Sequence, residues 1–261
     1  MQTILKFINT QGRVMLNFFE ATGDLILFTG RTLRACVRPP FYFREFIHHL
    51  IEIGFYSLPV VALTTLFSGM VIAIQTYEAV SKFSAQGAVS MVVLVAVTRE
   101  LAPVMAALMV AGRIGAAMAA EIGTMQVTEQ IDALTTLNTN PFKYLIAPRV
   151  LAGILMMPLL VLIGDVLGVY GGYFVGVYKM DFNATTYLIN TWNYLKAMDI
   201  ISGLVKASVF GFLIALMGCY HGFRSKGGAQ GVGQATTNAV VSASILILIF
   251  NYLLTEAFVN V

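Results

Sequence analysis

Residues 149–178 read RVLAGILMMPLLVLIGDVLGVYGGYFVGVY. Beyond Arg149 the only charged residue in this stretch is Asp165. A helix of such length crosses a hydrocarbon core of about 30 Å. Gly164, Gly168, Gly172 and Gly176 recur every fourth position and so form one smooth ridge along it. In lipid, ridges of small residues let helices approach closely, and Gly112, Ala116 and Ala120 form a shorter one in the second apolar run.

Four further apolar runs of comparable length stand at about 51–76, 88–118, 198–220 and 236–259. No soluble fold needs several such runs. The composition agrees, since 58% of the 261 residues are hydrophobic and 11% charged. Soluble domains carry about 45–50% apolar and about 25% charged residues. The sequence therefore predicts an all-α integral membrane protein with five transmembrane helices in residues 47–261. Connections are expected at 77–87, 119–148, 179–197 and 221–235.

Residues 1–46 form a separate N-terminal segment. Ile4, Leu5, Ile8, Phe18 and Phe19 alternate with Lys6, Arg13, Glu20 and Asp24, and Arg31, Arg34, Arg38 and Arg44 follow. The pattern fits an amphipathic helix lying in the membrane interface, broken by Pro39 and Pro40. A soluble tail is the alternative. Met1 to Thr29 lacks the layout of a cleaved signal peptide, so the N-terminus is expected to be retained.

Lys and Arg near the span ends set the orientation. The N-terminal segment, the second connection (Arg113, Lys143, Arg149) and the fourth (Arg224, Lys226) are basic, while the opposite side has Lys82, Lys179 and Lys196. The N-terminus is thus predicted inside and the C-terminus outside. Cys36 and Cys219 fall on the inner side, where thiols stay reduced, and are too few for a disulfide framework or a zinc site. A net charge of +3 without a dense basic patch gives no nucleic-acid footprint.

The Gly-rich stretch 227–233 lacks the Gly-Lys-Ser/Thr ending of a phosphate-binding loop and joins two spans rather than a strand and a helix. Adjacent His48 and His49 point about 100° apart on a helix and do not share a metal on one face. No catalytic triad order is present. The chain is expected to be no enzyme, to hold no metal and no cofactor of its own, and to leave any ATP to a partner.

Four ionisable residues lie deep in apolar runs: Arg99, Glu100, Asp165 and Lys206. Each charge at mid-bilayer costs about 2.5–3.5 kcal/mol on insertion scales. Counting about 1.5 Å per residue from the outer face puts Glu100 roughly 18 Å in, and Lys206 and Asn251 each roughly 12 Å in. Gln75 and Tyr77 cap the outer end of the first span. These groups predict an outward-opening pocket, apolar in its walls and polar at a few points, suited to an amphipathic molecule. The alternative is that Arg99, Glu100 and Lys206 only neutralise one another between helices.

Between Thr128 and Leu137, Ile131, Leu134 and Leu137 share an apolar face while Glu129, Gln130 and Asp132 face away. Such a short cytoplasmic helix suits docking of a partner, and the pattern fits a passive loop helix equally. A run of motifs bears on the choice: Arg99-Glu100-Leu101-Ala102-Pro103-Val104, Gly112-Arg113, Ala120-Glu121-Ile122-Gly123-Thr124-Met125, Thr128-Glu129-Gln130-Ile131-Asp132-Ala133-Leu134, then Pro141 and Pro148-Arg149. It closely resembles the MlaE family of permeases, which serve ABC transporters linked to MCE-domain proteins. The resemblance extends from about residue 45 to the end.

The resemblance implies a homodimeric permease of the bacterial inner membrane. Its coupling segment would dock a cytoplasmic ABC ATPase through Glu121, Thr128, Glu129, Gln130, Asp132 and Leu134. A periplasmic MCE-domain protein would sit above the pocket, and the substrate would be phospholipid, exchanged to maintain outer-membrane lipid asymmetry. Arg99, Glu100, Lys206 and Tyr77 match positions that line or support the family's lipid cavity. Asn251 stands where family members can carry an acidic residue, a departure that removes a carboxylate partner for Lys206 there. Competing readings are an ion-coupled transporter using Glu100 or Asp165, a membrane scaffold, and a permease for sterols or other lipids.

Overall fold

A computed structural model describes residues 2–81 and 87–259, among which there is no strand. Lys82 and the side chains of Ile4, Leu5, Lys6, Ile8, Arg13 and Phe18 lie outside the described residues. Five helical stretches are long and apolar enough to cross a membrane: Phe43–Ser81, Ala88–Val127, Phe142–Tyr178, Ala197–Phe223 and Gly228–Phe258. They coincide with the five apolar runs but extend beyond them. Hydropathy marks only the part bathed in hydrocarbon, whereas backbone hydrogen bonding carries the helix on through its polar ends. The second connection accordingly shrinks from the expected 119–148 to 128–141, and the fifth span begins at Gly228 rather than near 236.

The fourth span is the centre of the bundle. It packs against the third, the fifth and most of the second, while the first lies along the third. The first span is two helices, Phe43–Gly54 and Leu58–Ser81, joined by a turn at 55–57. Outward-facing Leu159, Val166 and Tyr170 on the third span, and Leu248, Ile249 and Tyr252 on the fifth, are exposed. An apolar coat of this extent has its solvent in lipid.

The N-terminal helix Gln2–Val37 docks on one end of this bundle. The Phe28 ring is buried 5.2 Å from Phe142, 5.4 Å from Tyr220 and 6.1 Å from Phe223. Asp24 pairs with Arg224, and this bond raises the guanidinium pKa above its ordinary value. Ile26, Leu27, Leu33 and Val37 remain exposed along the helix, an apolar stripe that suits an interfacial helix better than a soluble tail.

Glycines set the closeness of the helices. A Cβ on Gly164 would lie 3.0 Å from Thr65, on Gly168 2.8 Å from Val97, and on Gly176 2.9 Å from Tyr187. The predicted ridge thus meets the first span, the second span and the outer helix Ala184–Tyr194. Third and fourth spans touch through Gly153 and Gly211, with a Cβ on Gly153 only 2.8 Å from the Gly211 carbonyl oxygen. The row Gly112, Ala116, Ala120 needs correction: nothing lies within 4 Å of a Cβ on Gly112. Gly115 and Ala119 face the fourth span instead, their carbonyl oxygens 3.0 and 2.9 Å from a Cβ on Gly218 and Gly222. A π turn at Ala111–Gly115 interrupts the α-helical spacing on which that row was read.

These contacts separate two kinds of glycine. Gly211→Val drives a side chain into the Gly153 backbone, and should destabilise the detergent-solubilised protein by about 1–3 kcal/mol or more, as overpacking does. Gly30→Ala, in open space on the N-terminal helix, should be neutral or stabilising by up to about 1 kcal/mol. Thermal unfolding followed by size-exclusion chromatography measures both.

Candidate functional site

The second span is not a regular α-helix where its charges lie. A π turn runs over Val97–Leu101, and Pro103 follows it closely. In an α-helix the Arg99 carbonyl would accept from the N–H of residue 103, but proline has none. The Lys206 ammonium takes that place, donating to the Arg99 carbonyl oxygen at 2.9 Å. Local sequence thus creates an acceptor in the membrane interior, and a lysine from the fourth span fills it.

Lys206 Nζ also donates to Glu100 Oε1 at 2.7 Å and to Thr255 Oγ1 at 2.8 Å. Its three N–H donors therefore all have partners. Glu100 Oε1 lies 3.1 Å from Thr255 Oγ1, and Glu100 Oε2 accepts from Asn251 Nδ2 at 3.0 Å. Thr255 has a single hydroxyl proton to share between Glu100 and the Asn251 carbonyl at 2.7 Å. One helical turn on the fifth span thus supplies both neutral partners of the ion pair.

A second pair stands beside the first. Arg99 reaches Asp199 through Nε at 2.7 Å and Nη2 at 2.5 Å, and Ser202 Oγ donates to the Asp199 carbonyl at 2.8 Å. The side chains of Lys206 and Asp199 are each 2% exposed, while those of Glu100 and Arg99 are 41% and 44% exposed. In both pairs one charge is buried and its partner stands at the mouth. With Met198, Ser202, Thr255 and Phe258 they line a pocket of about 100 Å³. Two cations and two anions give the floor no net charge. It offers a guanidinium edge and a carboxylate edge side by side, as a zwitterionic or neutral polar head requires.

Of the residues singled out in the sequence, Arg99, Glu100, Lys206 and Asn251 meet here. Gln75 and Tyr77 do not join them: Gln75 is exposed, and the Tyr77 ring packs 5.6 Å from Phe182 beside Ala73 and Val93. Asp165 is buried on the third span, with neither carboxylate oxygen hydrogen-bonded among the described residues. Asp199, Thr255 and Pro103 were missed. Asp199 lies two helical turns before Lys206 and Thr255 one turn after Asn251, so shared helix faces carried the signal.

At the other end of the second span, Glu121 accepts an ion pair from Arg149 at 2.8 Å, with the Arg149 side chain 3% exposed. Arg149 Nη1 also donates to the Leu145 carbonyl at 2.7 Å. Glu121 therefore ties the second span to the third. Thr128 ends the second span, Glu129 turns the chain with φ of 60°, and Gln130 Nε2 donates to Thr128 Oγ1 at 3.0 Å. The helix Gln130–Thr136 buries Ile131, half-buries Leu134 and exposes Asp132. Leu137 departs from the expected apolar face and is 75% exposed, because the helix stops at Thr136 before that row can continue.

A family model described as "Permease MlaE" matches residues 46–257. The chain is 56% identical to a "Probable ABC transporter permease protein" of Rickettsia felis over 258 residues, covering 99% of this chain and 100% of that one. It is 33% identical to the "Intermembrane phospholipid transport system permease protein MlaE" of Haemophilus influenzae, covering 97% of each. It is 35% identical to the Arabidopsis thaliana "Protein TRIGALACTOSYLDIACYLGLYCEROL 1, chloroplastic", covering 89% of this chain and 66% of that one.

The Glu100–Lys206 pair should behave as one unit. Lys206→Met leaves the Arg99 carbonyl without its donor and Glu100 without its countercharge, and should cost about 1–3 kcal/mol, since Glu100 is half-exposed and keeps its bond from Asn251. Glu100→Gln combined with Lys206→Met removes both charges and should cost less than the sum of the single changes by about 0.5–3 kcal/mol. Thermal melts of the three variants in detergent give the coupling, and additive losses would count against it.

Proposed function

The chain belongs to the MlaE permease family, and from that premise we propose that it is the membrane subunit of an ATP-driven phospholipid transporter. The proposal places it in a bacterial inner membrane, with the N-terminus cytoplasmic and the C-terminus periplasmic. Two copies form the working permease, since a C2 pair of five-span units can enclose a central path that one unit leaves open. ATP is hydrolysed by a cytoplasmic ABC ATPase, and an MCE-domain protein receives or delivers lipid on the periplasmic side. The purpose is to keep the outer membrane asymmetric. The names of the Rickettsia and Haemophilus relatives support the ABC and phospholipid parts of this reading.

The observation that carries it is the uneven burial of the two ion pairs. A purely structural pair would hide both partners, whereas Arg99 and Glu100 stay half-exposed at the pocket mouth while Lys206 and Asp199 hold them from inside. A lipid headgroup meeting this floor finds its polar contacts preorganised, and its acyl chains find the apolar walls.

The transporter reconstituted with its ATPase and MCE partner should move labelled phospholipid. Glu100→Gln and Lys206→Ala should each slow transfer about tenfold or more, the loss of one charged hydrogen bond being worth about 1.5–3 kcal/mol. Wild-type rates in both variants would sink the pocket reading, and preferential transfer of a labelled sterol would replace the substrate.

Leu137 offers a second handle. An exposed leucine at the end of the helix that carries Gln130 and Asp132 suits a partner's groove, so Leu137→Asp should cut ATPase co-purification about tenfold or more, as loss of a buried interface anchor does. Unchanged co-purification would remove this segment from the interface. Asp165 favours a second reading, ion-coupled transport, because a buried carboxylate without a partner is what a proton carrier requires. Lipid transfer that needs a proton gradient and fails in Asp165→Asn would establish that reading instead.

A further inference from the structure

A second polar site lies at the opposite end of the bundle from the Glu100 pocket. Arg31 and Arg34 are three residues apart on one face of the N-terminal helix, and Arg38 follows just past its end, its backbone N–H still donating to the Arg34 carbonyl at 3.2 Å. They line a cavity of about 360 Å³ together with Asn140, Phe142 and Lys143. Among the described residues none of the three arginines lies within ion-pair distance of a carboxylate. Like charges at these spacings repel, so the cluster does nothing for the stability of the helix that carries it. The cavity also borders Phe142, where the third span begins.

The cavity does not end there. An adjoining groove of about 280 Å³ shares Ala35 and Lys143 with it and is walled by Phe41, Phe46, Pro148, Leu151 and Leu155. Lys143 Nζ donates to the Pro39 carbonyl oxygen at 2.6 Å, which holds the ammonium at the boundary between the two. Leu151 and Leu155 belong to the third span and Phe46 to the first, so the groove runs from the charged end along two membrane-crossing helices. The result is one continuous depression, cationic at one end and apolar at the other.

We propose that this depression binds one anionic phospholipid of the leaflet around it, its phosphate head among Arg31, Arg34, Arg38 and Lys143 and an acyl chain along the Leu151–Leu155 groove. The charge favours an anion, and the apolar half, opening along the spans, favours a lipid over a soluble phosphate compound. Basic residues at a membrane surface gain about 1 kcal/mol each from anionic lipid, or about fivefold in affinity. The site is separate from the Glu100 pocket and needs no transport cycle. It therefore stands or falls independently of the function proposed above.

Native mass spectrometry of the full-length protein in mixed micelles tests this with dioleoylphosphatidylglycerol and dioleoylphosphatidylcholine as probes. The wild type should bind phosphatidylglycerol about tenfold or more tightly than phosphatidylcholine, and the triple change R31Q/R34Q/R38Q should abolish that preference. The triple change R31K/R34K/R38K keeps the charge and should retain it, and Leu155→Trp, which fills the groove, should weaken binding of both lipids. Gel filtration checks that each variant is folded. Equal binding of the two lipids by the wild type, or undiminished preference in the glutamine variant, overturns the proposal. So does displacement of phosphatidylglycerol by millimolar inorganic phosphate, which would make this a site for soluble anions.

Discussion

Lys206 brings an ammonium group into the middle of packed helices, where its side chain is 2% exposed. The groups around it follow from that one constraint. Its three protons are met by a carboxylate, a hydroxyl and a backbone carbonyl from two other spans. The carbonyl is free because Pro103 supplies no N–H to Arg99. The hydroxyl and the amide on the fifth span are spaced one turn apart because both must face Glu100. Removing any one member exposes the desolvation cost of the rest, so the second, fourth and fifth spans are held to one register by hydrogen bonds rather than by apolar packing alone.

That register requires the fourth span to sit very close to the second. Gly203 lies one turn before Lys206, and a Cβ there would stand 2.6 Å from the Thr98 carbonyl oxygen, next to Arg99. Nearer the other end, Gly218 and Gly222 do the same against Gly115 and Ala119. Small residues therefore set the distance, and the distance lets a lysine reach the backbone. The long apolar side chains point the other way, into lipid, so the composition that drives insertion and the composition that drives packing occupy different faces of the same helices.

This division explains what the sequence made legible. Runs of apolar residues marked the five spans because insertion depends on summed hydropathy. The glycine ridge at 164–176 was legible because a regular helix keeps a four-residue spacing on one face. The same rule misread Gly112, where the π turn at Ala111–Gly115 intervenes, and π turns leave no hydropathy signal. In the site, Arg99, Glu100, Lys206 and Asn251 stood out as polar groups in apolar surroundings. Asp199 did not, because a carboxylate near a span end looks like one at the water interface, and only the fold reveals that Arg99 reaches across to it. Leu137 was read by period alone, and a helix that stops at Thr136 has no period left to obey.

The second span also links the two ends of the molecule in a way that neither end shows by itself. Glu100 near one end and Glu121 near the other belong to one helical rod, about 30 Å apart at 1.5 Å per residue. Each is tied to a different neighbour: Glu100 to the fourth and fifth spans, Glu121 to the third through Arg149. Between them stands the π turn at Ala111–Gly115, which Arg113 fastens to the first span by donating to Ser57 Oγ at 2.8 Å and standing 5.8 Å over the Tyr56 ring. Ser57 and Tyr56 are the turn at which the first span itself bends. The π turn at Ala111–Gly115 and the bend of the first span are thus bonded to each other, between Glu100 and Glu121. The hydrogen-bond ladder between Glu121 and Glu100 is therefore displaced by one residue on the way, and Arg113 anchors that displaced turn to the first span instead of leaving it to the second span alone.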